Sequence, residues 1–320
     1  MTKIRDIGEF GLIERITRKS KDKNDVLVGI GDDAAVVKPG KHLQVLTTDC
    51  LVEEDHFTRR WFTPLQIGMK AIEINVSDVA AMGAVPRYVL VSLGLPKNLD
   101  VKFVDEMYRG MRKVCDKYDI DIIGGNMTHS TQIFISITLL GEVEKKNLTL
   151  RSGAKPGDLI FISGYVGNGR AGLRLFQENV KGFNEVKKRY LEPKAKLKHA
   201  LKIAPFVNSM IDVSDGLAGD IGHICEQSNC GAVIYKDKIP IKIEIREVAR
   251  ILDENEYDYA LFGGEDFELV YTVSQDMVDK IDGFLIGEIT KDKAVKIFSD
   301  DKKQQIKNHG YDHFINSIYV

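Results

Sequence analysis

The chain has no cysteines at CxxC spacing and no Cys/His run that would bind zinc; Cys50, Cys115, Cys225 and Cys230 are scattered. Buried free thiols in a reduced, cytoplasmic setting follow. No window approaches the roughly 20 apolar residues of a membrane span. The first residues, MTKIRDIGEFGLIERI, have no apolar signal core. An excess of one charge is also missing: the net charge is −2. Neither a nucleic acid nor a membrane surface is therefore an expected partner. There is no GxxxxGK[ST] loop, no protein-kinase set of glycine loop, catalytic-loop Asp and DFG, and no HExxH. The stretch GYVGNG (164–169) is rich in glycine but is not GxGxxG. No repeat with a period of 20–50 residues and no low-complexity tract is visible.

What the chain does have is six short polar clusters, five of them acidic and one carrying Asn126, at the ends or interruptions of apolar stretches. They are GIGDDAA (29–35), TTD (47–49), NVSDVAAMG (75–83), IIGGNMT (122–128), IDVSDG (211–216) and GGEDFEL (263–269). Carboxylates in apolar surroundings cost free energy unless a positive charge compensates them. No run of Lys or Arg lies inside these clusters. Divalent cations are the simplest compensation, and Mg²⁺ with oxygen ligands usually accompanies phosphates. Any phosphoryl transfer here must therefore use metals rather than a Walker lysine.

With 320 residues, two domains are expected, and an apolar fraction of 43% allows each a sizeable core. Helical spacing marks 6–19, a helix starting at Thr63-Pro64 and running to about Met82, and 100–118. Strand patterns cover 26–31, 42–48, 87–95, 120–125 and 132–143. The turn-rich RSGAKPGD (151–158) follows. The boundary falls just before it, giving domains 1–148 and 149–320. The second block reads as a strand at 158–164, helices near 167–178, 194–203 and 216–228, and strands near 231–235, 267–273 and 283–289. Residues 179–192 are charged and read as a surface connection.

Asp78 is the most informative carboxylate. Ile67, Ala71, Ile74, Asp78 and Met82 fall on one helical stripe, so Asp78 interrupts an apolar face. A mid-helix Asp has few backbone donors at hand, which favours a metal ligand. Asp32 and Asp33 point to opposite sides of an extended chain, so one of them is the candidate. Thr47, Thr48 and Asp49 end a strand and offer hydroxyl and carboxylate oxygens. Asp215 or Ser214 reads equally as the cap of the helix over 217–228, whereas Asp212 ends an apolar run and has no such explanation. Glu265 and Asp266 follow two glycines, where a ligand site and an ordinary turn are equally consistent.

Together these motifs resemble the thiamine-monophosphate kinases of the aminoimidazole-ribonucleotide-synthetase-like superfamily. The resemblance runs from GEFGLIERI (8–16) through GIGDDAAV, LTTDCLVEEDHF, GMKAIEINVSDVAAMGAVPRY, IIGGNMT, LTLRSGAKPGDLIFISG and IDVSDGLAGDIGHI to LFGGEDFELVYTV and GYDHF (310–314). It implies an α+β fold: an N-terminal mixed sheet with helices that pairs across a homodimer, and a C-terminal α/β sandwich completing the active site. It implies phosphorylation of thiamine monophosphate to thiamine diphosphate by direct in-line transfer from ATP with several Mg²⁺ ions. Carried onto this sequence, Asp33, Thr47, Thr48, Asp49, Asp78, Asn126, Asp212 and Asp215 are implied as metal ligands. Tyr108, Gly125, Asn126, Arg151 and Ser214 are implied as ATP contacts. His56, Glu265 and Tyr311 are implied as substrate contacts, with Glu265 suited to a cationic ring system and Tyr311 to stacking. No catalytic side chain beyond the metal ligands is assigned.

The pattern GGD of the family is Gly124-Gly125-Asn126 here, which keeps an oxygen but drops a charge. Two alternatives are a sibling ATP-dependent enzyme of the superfamily and a non-catalytic nucleotide-binding member. Selenophosphate synthesis would need a reactive N-terminal cysteine, and hydrogenase maturation a cysteine-bearing tail where this chain reads INSIYV.

Overall fold

A computed structural model describes Arg15, the backbone of 26–28 and 36–37, and residues 43–306. The expected helix over 6–19, Asp32, Asp33 and Tyr311 lie outside the described residues. The chain divides into two compact units. Of the described residues, one holds those up to Val79 and Val85–Lys145; the other holds Ala80–Ala84 and those from Lys146 to Ile306.

In the first unit, β1 (Val26–Val28) and β2 (Val36–Val37) pair antiparallel. The main sheet comprises β3 (Leu43–Val52), β4 (Val85–Leu95), β5 (Asp121–His129) and β6 (Phe134–Val143), in the order β3-β6-β4-β5. β4 and β5 are parallel and the other pairs antiparallel. Ile135, Ile137 and Leu139 alternate inward along β6 and are buried, while their neighbours are half-buried. The crossover between β4 and β5 is α2 (Val101–Tyr118), whose apolar stripe through Val104, Met107, Met111 and Val114 is buried. Asp100 caps its first turn by accepting the Lys102 N–H at 3.0 Å.

The helix α1 (Pro64–Ala81) begins with a reciprocal cap. Gln66 donates its N–H to Thr63 Oγ1 at 3.3 Å, and Thr63 N–H donates to Gln66 Oε1 at 3.1 Å. α1 and α2 cross at a pair of glycines. A Cβ on Gly68 would lie 1.9 Å from the Met107 carbonyl oxygen, and one on Gly110 would lie 2.0 Å from that of Leu65. The two backbones touch, which no other residue permits.

The second unit is built on β7 (Leu159–Ile162), β8 (Ser209–Asp212), β9 (Gly231–Tyr235), β10 (Leu269–Val273), β11 (Phe284–Thr290), β12 (Val295–Ser299) and β13 (Lys302–Gln305). They lie in the order β13-β12-β9-β11-β7-β10-β8, antiparallel except for β9 beside β12. The helices are α3 (Asn168–Gln177), α4 (Asn184–Leu191), α5 (Leu197–Ile203), α6 (Leu217–Ser228), α7 (Ile243–Ile251) and α8 (Glu256–Phe262). Ile160, Ile211, Val270 and Ile286 of the sheet share one core with Leu175, Ile221, Val248 and Leu261 of the helices. Residues 80–84 are tied to this unit from a distance in sequence. Thr149 donates its hydroxyl to the Ala81 carbonyl at 2.7 Å and its N–H to that of Met82 at 3.3 Å.

Two expectations are corrected. Thr47, Thr48 and Asp49 do not end a strand, because β3 continues through its pairing with β6 to Val52. Residues 179–192 are not a surface connection throughout, because α4 occupies 184–191 and buries Val186 and Tyr190. Only these two apolar residues, one turn apart, face the core, and the surrounding Lys, Arg and Glu hide the stripe.

Candidate functional site

In the first unit the inward face of β3 meets α1. Side chains along β3 alternate, so Thr47, Asp49 and Leu51 share the face toward the helices while Thr48 and Cys50 lie on the other. Thr47 Oγ1 donates to Asp78 Oδ2 at 2.6 Å. The Asp49 N–H donates to Asn75 Oδ1 at 3.2 Å, and the fully buried Asn75 donates its amide to the Ala71 carbonyl at 3.0 Å. Asp78 itself is half-buried, one turn beyond Asn75 on a helix that is otherwise buried from Ile67 onward. Thr47, Asp49 and Asp78 are thus brought together. Thr48 is not among them: it faces Thr138, whose hydroxyl lies 3.4 Å away.

Asn126 lies exposed on β5, paired with Ser92 of β4, at the opposite edge of the sheet from β3. Three inter-strand spacings, about 14 Å, separate those strands. Gly125 has φ 155°, and a Cβ there would overlap the Val91 carbonyl oxygen at 1.8 Å, so glycine is obligatory. Tyr108 is only 5% exposed, with the Arg112 guanidinium 5.5 Å from its ring. Burial pushes its phenol well up, so it is un-ionised. His56 follows β3 in a tight turn in which Glu54 has φ 71°. Its Nδ1 accepts the Val52 N–H at 3.2 Å, and its carbonyl accepts from the buried Lys70 at 3.0 Å.

In the second unit β8 delivers Asp212 to its end, buried, and the chain turns through Gly216 (φ 109°) into α6. Ser214 Oγ lies 3.5 Å from Asp212 Oδ1. The GGED segment lies alongside. The Glu265 N–H donates to the Ser214 carbonyl at 2.9 Å, and the Phe267 N–H to that of Val213 at 2.8 Å. Asp212, Ser214, Asp215 and Glu265 therefore form one group. Arg151 is exposed in a loop whose carbonyl accepts from Ser228 at 3.4 Å and whose neighbour Leu150 pairs with Met210 of β8.

The sequence reading passed over Asp220, in the first turn of α6 and 1% exposed. Its Oδ2 accepts the Gly216 N–H at 3.1 Å. Burial first, then the carboxylates of Asp212 and Asp215, push it well above the usual range. The signal was present in IDVSDGLAGD, where a third acid follows two others with no cation in between. Asn75 was equally legible as the second polar residue on the Asp78 side of an apolar helix.

The donor chemistry of both groups is hard oxygen, which suits Mg²⁺. The crowding that raises Asp220 is the kind of repulsion a divalent cation relieves. Among the described residues no three His, Cys, Asp or Glu side chains converge on one ion. Mg²⁺ commonly takes one or two carboxylates and fills its shell with water and phosphate oxygens.

A two-unit α+β fold with one oxygen-donor cluster on β3 and α1, another at the end of β8, and no Walker loop is the pattern of an AIR-synthase-related enzyme. The N-terminal domain of AIR synthase related proteins matches residues 31–143, and the C-terminal domain matches 155–300. The thiamine-monophosphate kinase of Aquifex aeolicus is 37% identical over 317 residues, covering 98% of this chain and 100% of its own. That of Bacillus subtilis is 34% identical, with 96% and 100% covered. The solved structure of AaThiL complexed with AMPPCP and TMP superposes with a TM-score of 0.80 at 34% identity, over 98% of this chain and 99% of that one. The chain belongs to the thiamine-monophosphate kinase family. The hydrogenase maturation protein HypE of E. coli, at 18% identity and a TM-score of 0.78, shares the fold.

Proposed function

We propose that this protein transfers the γ-phosphoryl group of ATP to thiamine monophosphate, yielding thiamine diphosphate and ADP. An oxygen of the substrate phosphate attacks the γ-phosphorus in line, the bond to the β-γ bridging oxygen breaks, and ADP leaves with that electron pair. The observation that carries this reading is the backbone tie between Glu265 and Ser214. It sets a carboxylate suited to a cationic thiazolium and aminopyrimidine beside a cluster suited to Mg²⁺ and phosphates. Kinship with a protein solved with an ATP analogue and TMP supports the same pair of ligands.

Two polyanions must meet for this reaction, so charge neutralisation and positioning carry most of the catalysis. Asp49 and Asp78 with Thr47, and Asp212 with Asp215, would hold Mg²⁺ ions; Asp33, Thr48 and Asn126 are the further implied ligands. The ions, when bound, supply positive charge to the phosphates. Asp220 holds the Gly216 turn that presents Asp215. Ser214, Gly125, Asn126, Arg151 and Tyr108 are assigned to ATP, and His56, Glu265 and Tyr311 to the thiamine moiety. Asn126 contributes an uncharged oxygen.

We assign a homodimer formed through the sheet of the first unit and a reducing, cytoplasmic setting. The free, mostly buried thiols support the latter. The test is a product assay with ATP, Mg²⁺ and thiamine monophosphate that resolves thiamine diphosphate from thiamine. ATP turnover independent of thiamine monophosphate, or none at all, would overturn the reading.

A further inference from the structure

The glycine-rich stretch 164–169 leads into α3, and the first N–H groups of a helix have no partner within it. Here a carboxylate from far along the chain takes three of them. Asp266 Oδ2 accepts the Gly167 N–H at 2.6 Å, while Oδ1 accepts those of Asn168 at 2.8 Å and Gly169 at 3.1 Å. The contact is close enough that a Cβ on Gly169 would lie 2.3 Å from the Gly264 carbonyl oxygen.

The residues on either side of Asp266 are both left-handed: Glu265 has φ 66° and Phe267 has φ 50°. Side chains larger than glycine persist in that region only when their surroundings over-determine it. On one side the surroundings are the carbonyls of Val213 and Ser214, which accept from Phe267 and Glu265. On the other side they are Asp266 and the start of α3. Burial pushes the Asp266 carboxyl up to about 7, and the three N–H donors hold it below where burial alone would take it.

We propose that Asp266 is a positioning residue for the thiamine-phosphate substrate: by tying the N-terminus of α3 to the GGED segment, it fixes the backbone that aims Glu265. The proposal rests on the reading of Glu265 as the carboxylate that meets the cationic end of the substrate. Asp266 makes no contact with substrate in this scheme; it acts through its neighbour. In Asp266→Asn one oxygen still accepts from Asn168 and Gly169, but the amide nitrogen faces the Gly167 N–H, donor against donor.

Rates of the full-length protein separate this role from simple loosening. In Asp266→Asn the KM for thiamine monophosphate should rise about tenfold, with the KM for ATP within about twofold of the wild type. Backbone amides of 165–170 should exchange faster with solvent. Glu265→Gln, measured alongside, should also raise the KM for thiamine monophosphate. If Asp266→Asn does not fold, Asp266→Ser is read in the same way, since its hydroxyl keeps one acceptor. An unchanged KM for thiamine monophosphate in the Asp266 variant, with Glu265→Gln impaired, overturns the proposal and leaves the substrate reading intact. Equal rises in both KM values overturn it as general loosening. An unimpaired Glu265→Gln means that the substrate reading has failed, and the proposal falls with it even if faster exchange shows the tie to be real.

Discussion

Asp78 is the residue that the sequence singles out most strongly, because a lone acid on an apolar helical stripe needs a partner. The contact with Thr47 adds a structural observation, since the hydroxyl donates to one carboxylate oxygen and orients the group. We expect Asp78→Asn to lower kcat by about 100-fold or more and to raise the Mg²⁺ concentration for half-maximal rate. Turnover and Mg²⁺ titration of the variant are the check; unchanged curves would remove Asp78 from the metal site. Asp220 and Asp266 were less legible. Their burial is created by chain segments distant in sequence, which no local pattern carries. Asp266 also gives a pH dependence. Its folded-state value of about 7 lies above the ordinary 3.8, so the folded protein binds more protons there than the unfolded one between those values. Stability is thus lost as pH rises from about 4 to 7, at up to about 1.4 kcal/mol per unit for this group. Among the described residues, the Glu268 carboxylate raises it further. Asp266→Asn lacks the ionisation, so its stability deficit against the wild type should shrink as pH rises through that window in denaturant titrations.

At the scale of elements, the strongly periodic helices and the long apolar strands were readable. The start of α1 at Thr63-Pro64 and the stripe of α2 are local chemistry, and the structure has both. The helix α4 was not readable, because Val186 and Tyr190 alone carry its buried face among charged neighbours. Nor did the sequence mark β12 and β13, whose residues are half-exposed or exposed and lack a clear alternation. The crossing of α1 and α2 turns on two glycines that read, in isolation, as weaknesses in a helix. Propensity alone would have Gly110→Ala stabilise by about 1 kcal/mol. The overlap with the Leu65 carbonyl reverses the sign, and we expect a net loss of about 2–3 kcal/mol. Urea unfolding of the variant measures it, and a gain in stability would show that the helices can part without cost.

For the whole molecule, the sheet of the first unit poses the main question. Among the described residues β3 and β5 end that sheet without further partners, and Leu46 and Leu43 on β3 are 63% and 46% exposed. An open strand edge with exposed leucines is a liability that a second copy removes. Light scattering at micromolar concentration should report a dimer, and Leu46→Lys should shift it toward monomer; a fully active wild-type monomer would contradict the assignment. The short stretch 80–84 has a different bearing on the molecule. It belongs to the second unit although it is encoded within the first, and Thr149 anchors to the carbonyls of Ala81 and Met82. A cut between residues 145 and 146 would therefore part Thr149 from the carbonyls that accept from it. A fragment meant to hold the second unit keeps those bonds only if residues 80–84 are carried along.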